Sequence, residues 1–243
     1  MFFDAHLHLD DLELEEVEKY ISRANKEKVE KLFVNSTNLK TIDFVSTLSK
    51  KYSEIVPGFG IYPLESEEKD LVNFEKFIGQ VKKPFFIGEI GLDFKFADED
   101  QKKTQMKVFE KQLEIAKEYD VYVNVHSRYA QKQVIELLEK HKQEKVIMHW
   151  FCNSGKYVKR AVDSEYYITV GPTYLLRDEL TNVVRNITLE LLLFETDFPV
   201  ELSGKPYESC EIPKIAEKYC GDFGIKLRDL EKAQNNNYKT LIK

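Results

Sequence analysis

The sequence predicts a single α/β domain in which eight parallel strands close into a (β/α)8, TIM-like barrel, somewhat irregular in its later units. Three observations point there. About eight short apolar runs recur along the chain, the number a closed parallel barrel requires. Charged stretches with helical spacing separate them, and strands that alternate with helices build parallel sheets. The length of 243 residues is close to the roughly 250 that one such barrel commonly needs.

The strand candidates run, in order, over Phe2 to Leu7, Lys31 to Ser36, Val56 to Tyr62, Phe85 to Leu92, Val121 to Ser127, Val146 to Phe151, Tyr166 to Gly171 and Leu191 to Asp197. Between the fourth and fifth, Asp100 to Tyr119 carries Met106, Phe109, Leu113 and Ala116 at intervals of three and four, which predicts a helix with one apolar stripe. Tyr129 to His141 repeats the pattern with Val134, Ile135, Leu137 and Leu138. Ser154 to Val162 and Tyr174 to Thr188 are short or poorly patterned, so irregular connections are expected there. No linker rich in Pro, Gly or Ser, no low-complexity tract and no short repeat divides residues 1–243, which predicts one domain.

Composition excludes several classes. With 42% hydrophobic and 32% charged residues the chain reads as soluble and globular. No apolar run approaches the roughly 20 residues of a membrane span, and Met1-Phe2-Phe3 lacks a secretory leader's basic start and long apolar stretch. The encoded N-terminus is therefore expected to be the mature one, in the cytoplasm. Cys152, Cys210 and Cys220 form no C-x-x-C and leave an odd thiol, which predicts reduced thiols. A net charge of −6 argues against a broad cationic surface wrapped on a long duplex. Any nucleic-acid contact must be local.

The five histidines carry the chemistry. His6 and His8 end the first strand candidate at an i, i+2 spacing that places both imidazoles on one face. Glu89 lies in the fourth, His126 closes the fifth, His149 the sixth and Asp197 the eighth. In an α/β barrel the C-terminal strand ends converge on one mouth, where these side chains can meet a common ion. Four imidazoles and two carboxylates exceed the four partners of one tetrahedral zinc, and suit two cations bridged by a carboxylate. Glu89 is the candidate bridge. His141, in the charged stretch Glu139-Lys140-His141-Lys142, is expected to be solvated.

The motifs resemble those of the TatD family of metal-dependent deoxyribonucleases, within the TIM-barrel metal-dependent hydrolases. The likeness runs through Asp4-Ala5-His6-Leu7-His8-Leu9-Asp10, Gly60-Ile61-Tyr62-Pro63, Gly88-Glu89-Ile90-Gly91-Leu92-Asp93 and Val125-His126-Ser127-Arg128-Tyr129-Ala130. It continues through Met148-His149-Trp150-Phe151, Ile168-Thr169-Val170-Gly171, Glu195-Thr196-Asp197-Phe198-Pro199 and Asn237-Tyr238-Lys239-Thr240-Leu241. The resemblance implies that His6, His8, Glu89 and Asp197 hold one metal, and that Glu89, His126 and His149 hold the second. It also implies phosphodiester hydrolysis, often from the 3′ end of single-stranded DNA, with two divalent ions drawn from Mg, Mn or Zn.

A cation lowers the pKa of bound water from 15.7 towards about 7, so metal-activated water is the expected nucleophile. Asp197 and Glu89 are the catalytic candidates, with Asp197 orienting or deprotonating that water. Arg128 can present its planar fork to phosphate, or form a rim ion pair equally well. Glu195 and Asp93 are expected to orient ligating imidazoles, and Asp4 and Asp10 either do the same or only cap structure. Trp150, Phe151 and Tyr174 are candidates to stack a terminal base, although such aromatics more often pack in the core. The sequence departs from the family at Tyr62 and Leu64, where histidines are common, and lacks a proline near Tyr122. Tyr62, a candidate substrate contact, keeps a hydrogen-bonding tip but does not become a cation near neutrality. Metal-dependent ester or amide hydrolysis, as in an aminoacyl-tRNA deacylase, is the alternative activity. A scaffold without turnover ranks behind both.

Overall fold

The computed structural model describes residues 1–152 and 154–243. Eight strands are hydrogen-bonded in chain order: β1 (Phe2–Leu7), β2 (Val29–Asn35), β3 (Ile55–Phe59), β4 (Phe86–Gly91), β5 (Val123–His126), β6 (Val146–Met148), β7 (Tyr167–Val170) and β8 (Leu192–Phe194). Every pairing is parallel. Just past β8, the Asp197 amide donates to the His6 carbonyl at 2.9 Å, and the His8 amide donates to the Phe198 carbonyl at 2.7 Å. The expected barrel thus forms, nearly closed, with two loop bonds stitching its β1–β8 seam.

Helices cover the outside: α1 (Leu14–Lys26), α2 (Leu39–Lys51), α3 (Leu71–Ile78), α4 (Glu99–Glu118), α5 (Gln131–Lys140) and α6 (Gly155–Asp163). The irregular stretch after β7 holds short turns, α7 (Thr173–Leu176), a 3-10 turn at Asp178–Leu180 and α8 (Thr181–Val184), as its poor patterning predicts. Helix α4 shows how sequence sets position. Asp98 caps it by accepting from the amides of Asp100 and Gln101, and Gln101 reaches back to the Asp98 amide. Its inner face buries Val108, Phe109, Leu113 and Ala116. That face also buries two glutamines. Gln112 bonds both the amide and the carbonyl of Ile61, and Gln105 does the same to Asp93. One helix therefore holds the loops that follow β3 and β4.

The core has two parts. Inside the barrel, Phe3, Phe33 and Phe86 pack in series, with ring centroids 5.3 Å apart at each step. A larger apolar layer lies between strands and helices. Some expectations shift. The Val56 to Tyr62 run leaves the sheet after Phe59, and Glu195 to Asp197 lie beyond β8 because Asp197 turns into the left-handed region at φ 53°. Beyond Asp197 the apolar runs give out, and the chain forms a small hairpin, β9 (Glu201–Leu202) with β10 (Lys205–Pro206), then α9 (Ile212–Phe223) and α10 (Leu227–Leu241). Helix α10 docks through Gln234 and Asn237, whose amides donate to the Leu192 carbonyl. His141 is not solvated as expected: its side chain is 16% exposed and lies 3.8 Å from Glu110, because the end of α5 packs on α4. Among the described residues, no helix is long and apolar enough to cross a membrane. All three cysteines are free.

Candidate metal centre

The six expected ligands converge on the C-terminal mouth of the barrel. His6, His149, Glu89 and Asp197 are buried, and His8 and His126 are half-buried. Glu89 divides the group. Its Oε2 lies 3.1 Å from His8 Nε2 and 3.6 Å from His6 Nε2, while its Oε1 lies 2.9 Å from His126 Nδ1 and 3.7 Å from His149 Nε2. Asp197 also straddles both sides: Oδ1 is 3.5 Å from His6 and 3.8 Å from His8, and Oδ2 is 3.8 Å from His149.

This donor set fits a cation. The Nε2 atoms of His6 and His8 face each other at 3.2 Å, close to the roughly 3.3 Å between ligands that bonds of about 2.0–2.1 Å give around a tetrahedral ion. Two imidazole nitrogens and a carboxylate oxygen aimed at one point are suitable metal ligands. Two triads form this way, His6 with His8 and Glu89, and Glu89 with His126 and His149. A third, His6 with His149 and Glu195, reflects ring stacking of the two histidines at 3.6 Å and a carboxylate on the far side of His149.

Each ring is held from behind. His149 Nδ1 lies 2.8 Å from Glu195 Oε2, His8 Nδ1 is 3.1 Å from the Asn35 carbonyl, and His126 Nε2 is 3.1 Å from Asp93 Oδ2. His6 Nδ1 meets Asn124 Oδ1 at 2.9 Å. Such partners fix ring orientation and tautomer. Glu195 and Asp93 were expected here; Asn124 and Asn35 were not. Asn124 carried a signal, because it is a polar residue inside the apolar Val123-Asn124-Val125 strand. Asp4, rather than touching a ring, accepts from Thr196 and Ser209 side chains at 2.5 and 2.7 Å.

Charges inside the cluster are arranged by burial and neighbours. Burial pulls His6 down, yet Glu89, Asp197 and Glu195 outweigh it and hold the ring up at about 10. Burial likewise opposes charge on His126, but Asp93 and Glu89 hold it up at about 9. His149 is pushed down to about 3 by burial and by the charge on His6. Burial opposes the ionised form of Glu89, which His6, His126 and His8 nonetheless keep well below the usual carboxylate range. Burial raises Asp197 from its ordinary value, and burial raises Glu195 to about 7.

A cavity of about 550 Å³ opens over the centre, with His126, His149 and Asp197 on its lining and Tyr62, Arg128 and Trp150 beside them. Arg128 gives both Nε and Nη2 to Asp93 Oδ2 at 2.7 Å, the rim ion pair, while also facing the cavity. Tyr62 packs edge-on against His126 at 5.1 Å. Burial, with Glu89 and Asp93 nearby, pushes its phenol up, so it stays a neutral hydroxyl. Phe151 and Tyr174 are 2% and 1% exposed. They belong to the core and cannot stack a base.

Residues 3–243 match the model of a family described as TatD related DNase. The chain belongs to that family. It is 30% identical over 258 residues to the uncharacterized metal-dependent hydrolase YabD of Bacillus subtilis, covering 100% of this chain and 99% of YabD. It is also 30% identical over 214 residues to the deoxyribonuclease TATDN3 of Homo sapiens, covering 81% of this chain and 77% of TATDN3. In three dimensions it superimposes on YjjV, a TatD homologue of Escherichia coli K12, with a TM-score of 0.90 at 26% identity over 99% of this chain and 97% of YjjV. This TatD-family protein is a metal-dependent hydrolase.

Proposed function

We propose that this chain is a deoxyribonuclease that uses two divalent cations to remove nucleotides from the 3′ end of single-stranded DNA, with residues 1–243 acting as one catalytic domain. The observation that carries the reading is Glu89, whose two oxygens each face a separate pair of imidazoles. His6, His8, Glu89 and Asp197 would hold one cation, and Glu89, His126 and His149 the other. Asp197 lies within reach of imidazoles on both sides, which supports its place among the residues that would hold a cation. When bound, such ions supply Lewis acidity, lowering the pKa of water towards about 7 and offsetting phosphate charge.

The chain's own residues do the rest. Asp197, fixed by its amide to the His6 carbonyl, orients the attacking water and takes its proton as the P–O3′ bond breaks and solvent protonates the leaving oxygen. Glu195, Asn124 and Asp93 keep the rings aimed. Asp93 engages two of the five guanidinium donors of Arg128, so the others can donate to a phosphate oxygen. Mixed His and carboxylate donors favour Zn, Mn, Co or Ni, and Mg prefers an oxygen-rich shell.

The test is cleavage of single-stranded DNA labelled separately at its 5′ and 3′ ends, with Mg, Mn, Zn or chelator, beside Asp197→Asn. Stepwise, metal-dependent loss from the 3′ end, absent in the variant, is the expected result. No cleavage despite measured metal binding overturns it and directs the search to carbonyl esters such as aminoacyl-tRNA.

A further inference from the structure

Among the described residues, eight non-glycine positions have positive φ. Lys28, Asp120, Lys142 and Glu165 each sit just past the end of a helix, α1, α4, α5 and α6 in turn, and Ser203 turns the β9–β10 hairpin. Left-handed residues are ordinary at such places. The other three, Tyr129 (φ 59°), Trp150 (φ 46°) and Asp197 (φ 53°), end no helix, and all three line the cavity over the metal centre. A bulky aromatic is unfavourable in this region, and strain of this kind clusters where ligands are held.

Packing does not account for either aromatic. Tyr129 is 70% exposed and gains little from burial. Trp150 is half-buried, and its backbone is fastened rather than its ring: its amide lies 2.9 Å from both Glu195 Oε1 and Thr169 Oγ1, two buried acceptors. Of these two, Glu195 also aims His149, through its other oxygen. The indole is thereby set beside the ligand ring, 6.1 Å from His149 and nearly perpendicular to it. Tyr62 stands against His126 in the same way, and the exposed Val200 adds apolar surface.

We propose that Tyr129, Trp150 and Tyr62 form an aromatic subsite that takes the base of the terminal nucleotide while its phosphodiester lies on the metal centre. The proposal rests on the deoxyribonuclease reading and adds to it what is recognised at the chain end. The cavity is of a size that suits one small planar ligand rather than a duplex. Among the described residues Arg128 is the one permanently cationic side chain on its lining, so stacking, which tolerates any base, must supply much of the grip.

Trp150 is the chain's single tryptophan, so its emission reports on this subsite directly. The metal-loaded protein is titrated with dAMP and, separately, with 2-deoxyribose 5-phosphate. Saturable quenching by dAMP, with none from the sugar phosphate, is expected. Tyr129→Ala should weaken dAMP binding about 5- to 150-fold, the range that losing one stacked aromatic gives, and Tyr129→Phe should restore it. In parallel, oligonucleotides ending in a normal or an abasic 3′ nucleotide are digested. DNA cleavage at equal rates on both ends, or cleavage without dAMP quenching, overturns the subsite and leaves the nuclease reading standing. Quenching by dAMP with no DNA cleaved overturns the nuclease reading and leaves a base-binding site.

Discussion

Replacing Gly91 by alanine should separate the two halves of the metal centre. Gly91 ends β4 at φ 136°, a conformation that L side chains rarely adopt. A Cβ placed there would lie 2.1 Å from the His126 carbonyl oxygen and 2.9 Å from the carbonyl carbon and amide nitrogen of the same residue. These are backbone atoms of the neighbouring strand, paired in register with Gly91, so no side chain can swing aside. Relief requires β4 and β5 to part by about 1 Å, given that non-bonded heavy atoms settle near 3.5 Å. The backbone conformation costs about 1–3 kcal/mol and the overlap about 1–3 kcal/mol more. The sum, about 2–6 kcal/mol, corresponds to a melting temperature lower by roughly 5–20 °C for a chain of this size. Parting the strands also draws His126 from its 2.9 Å contact with Glu89, so metal affinity at the second triad should fall with stability. Thermal denaturation and calorimetric metal titration measure both. Gly155→Ala is the control: among the described residues its Cβ meets nothing within 4 Å, and at the start of α6 it should stay within about 1 kcal/mol of the parent. A Gly91→Ala protein as stable and as tight for metal as that control would show that the close approach of β4 and β5 at Gly91 does not set the centre.

His126→Ala and Asp197→Asn should abolish turnover while shifting the melting temperature by only a few degrees, since barrel-mouth residues serve chemistry more than stability; near-normal rates in both would remove the assigned centre. Glu195→Gln, which alters the partner of His149, should weaken metal binding about 10- to 100-fold, read by competition with a chelating dye, and unchanged affinity would place Glu195 outside the ligand frame. Stripping the metal should lower the melting temperature, and adding it back at 100 times its dissociation constant should restore about 2.7 kcal/mol, or roughly 5–10 °C; a curve indifferent to chelator would exclude a folded-state site. Glu139 and Arg160 pair through two bonds of 2.7 and 2.5 Å, and this pairing lowers the Glu139 pKa from 4.5. Their contribution is therefore present above about pH 4.5 and lost as pH falls through the lower folded value. With both side chains well exposed, it should amount to about 0.5 kcal/mol. Urea denaturation of Glu139→Gln should show that loss at pH 7 and none near pH 3, and an equal loss at both would contradict the linkage.

The barrel and its candidate ligands were legible because both are written in strands. An apolar run of five or six residues ending in His, Glu or Asp states where the sheet stops and what it presents, and parallel topology brings those ends together. What was not legible depends on contacts between distant segments. Gln105 and Gln112 carry no apolar signal beside the α4 stripe, yet they face inward to hold the loops carrying Asp93 and Tyr62. His141 sits in a run of charges, and only the packing of α5 on α4 takes it from water. Phe151 and Tyr174 have the composition of a stacking surface, and Trp150 has it too. Only the backbone turn at Trp150 and its clamped amide distinguish the aromatic that faces the cavity from the two that face the core.

Because the ligands are drawn from both ends of the sheet, the centre depends on how the barrel closes. His6 and His8 come from β1, whereas Asp197 follows β8, and the sheet order runs from β1 to β8 without a ladder joining the two. Asp4 supplies what the ladder would. Its carboxylate accepts from the Thr196 amide at 3.0 Å and hydroxyl at 2.5 Å, and from Ser209 at 2.7 Å, and Tyr20 of α1 bonds Ser209 in turn. Four elements are thereby tied at one buried point, two residues from His6 and one from Asp197. Hydrogen bonds to a charged acceptor each contribute roughly 1.5–3 kcal/mol, about the scale needed to hold a left-handed Asp197 against its own conformational cost. The aspartate that opens the His-x-His motif therefore serves the metal centre without touching it, by fixing the seam across which His6 and Asp197 face each other.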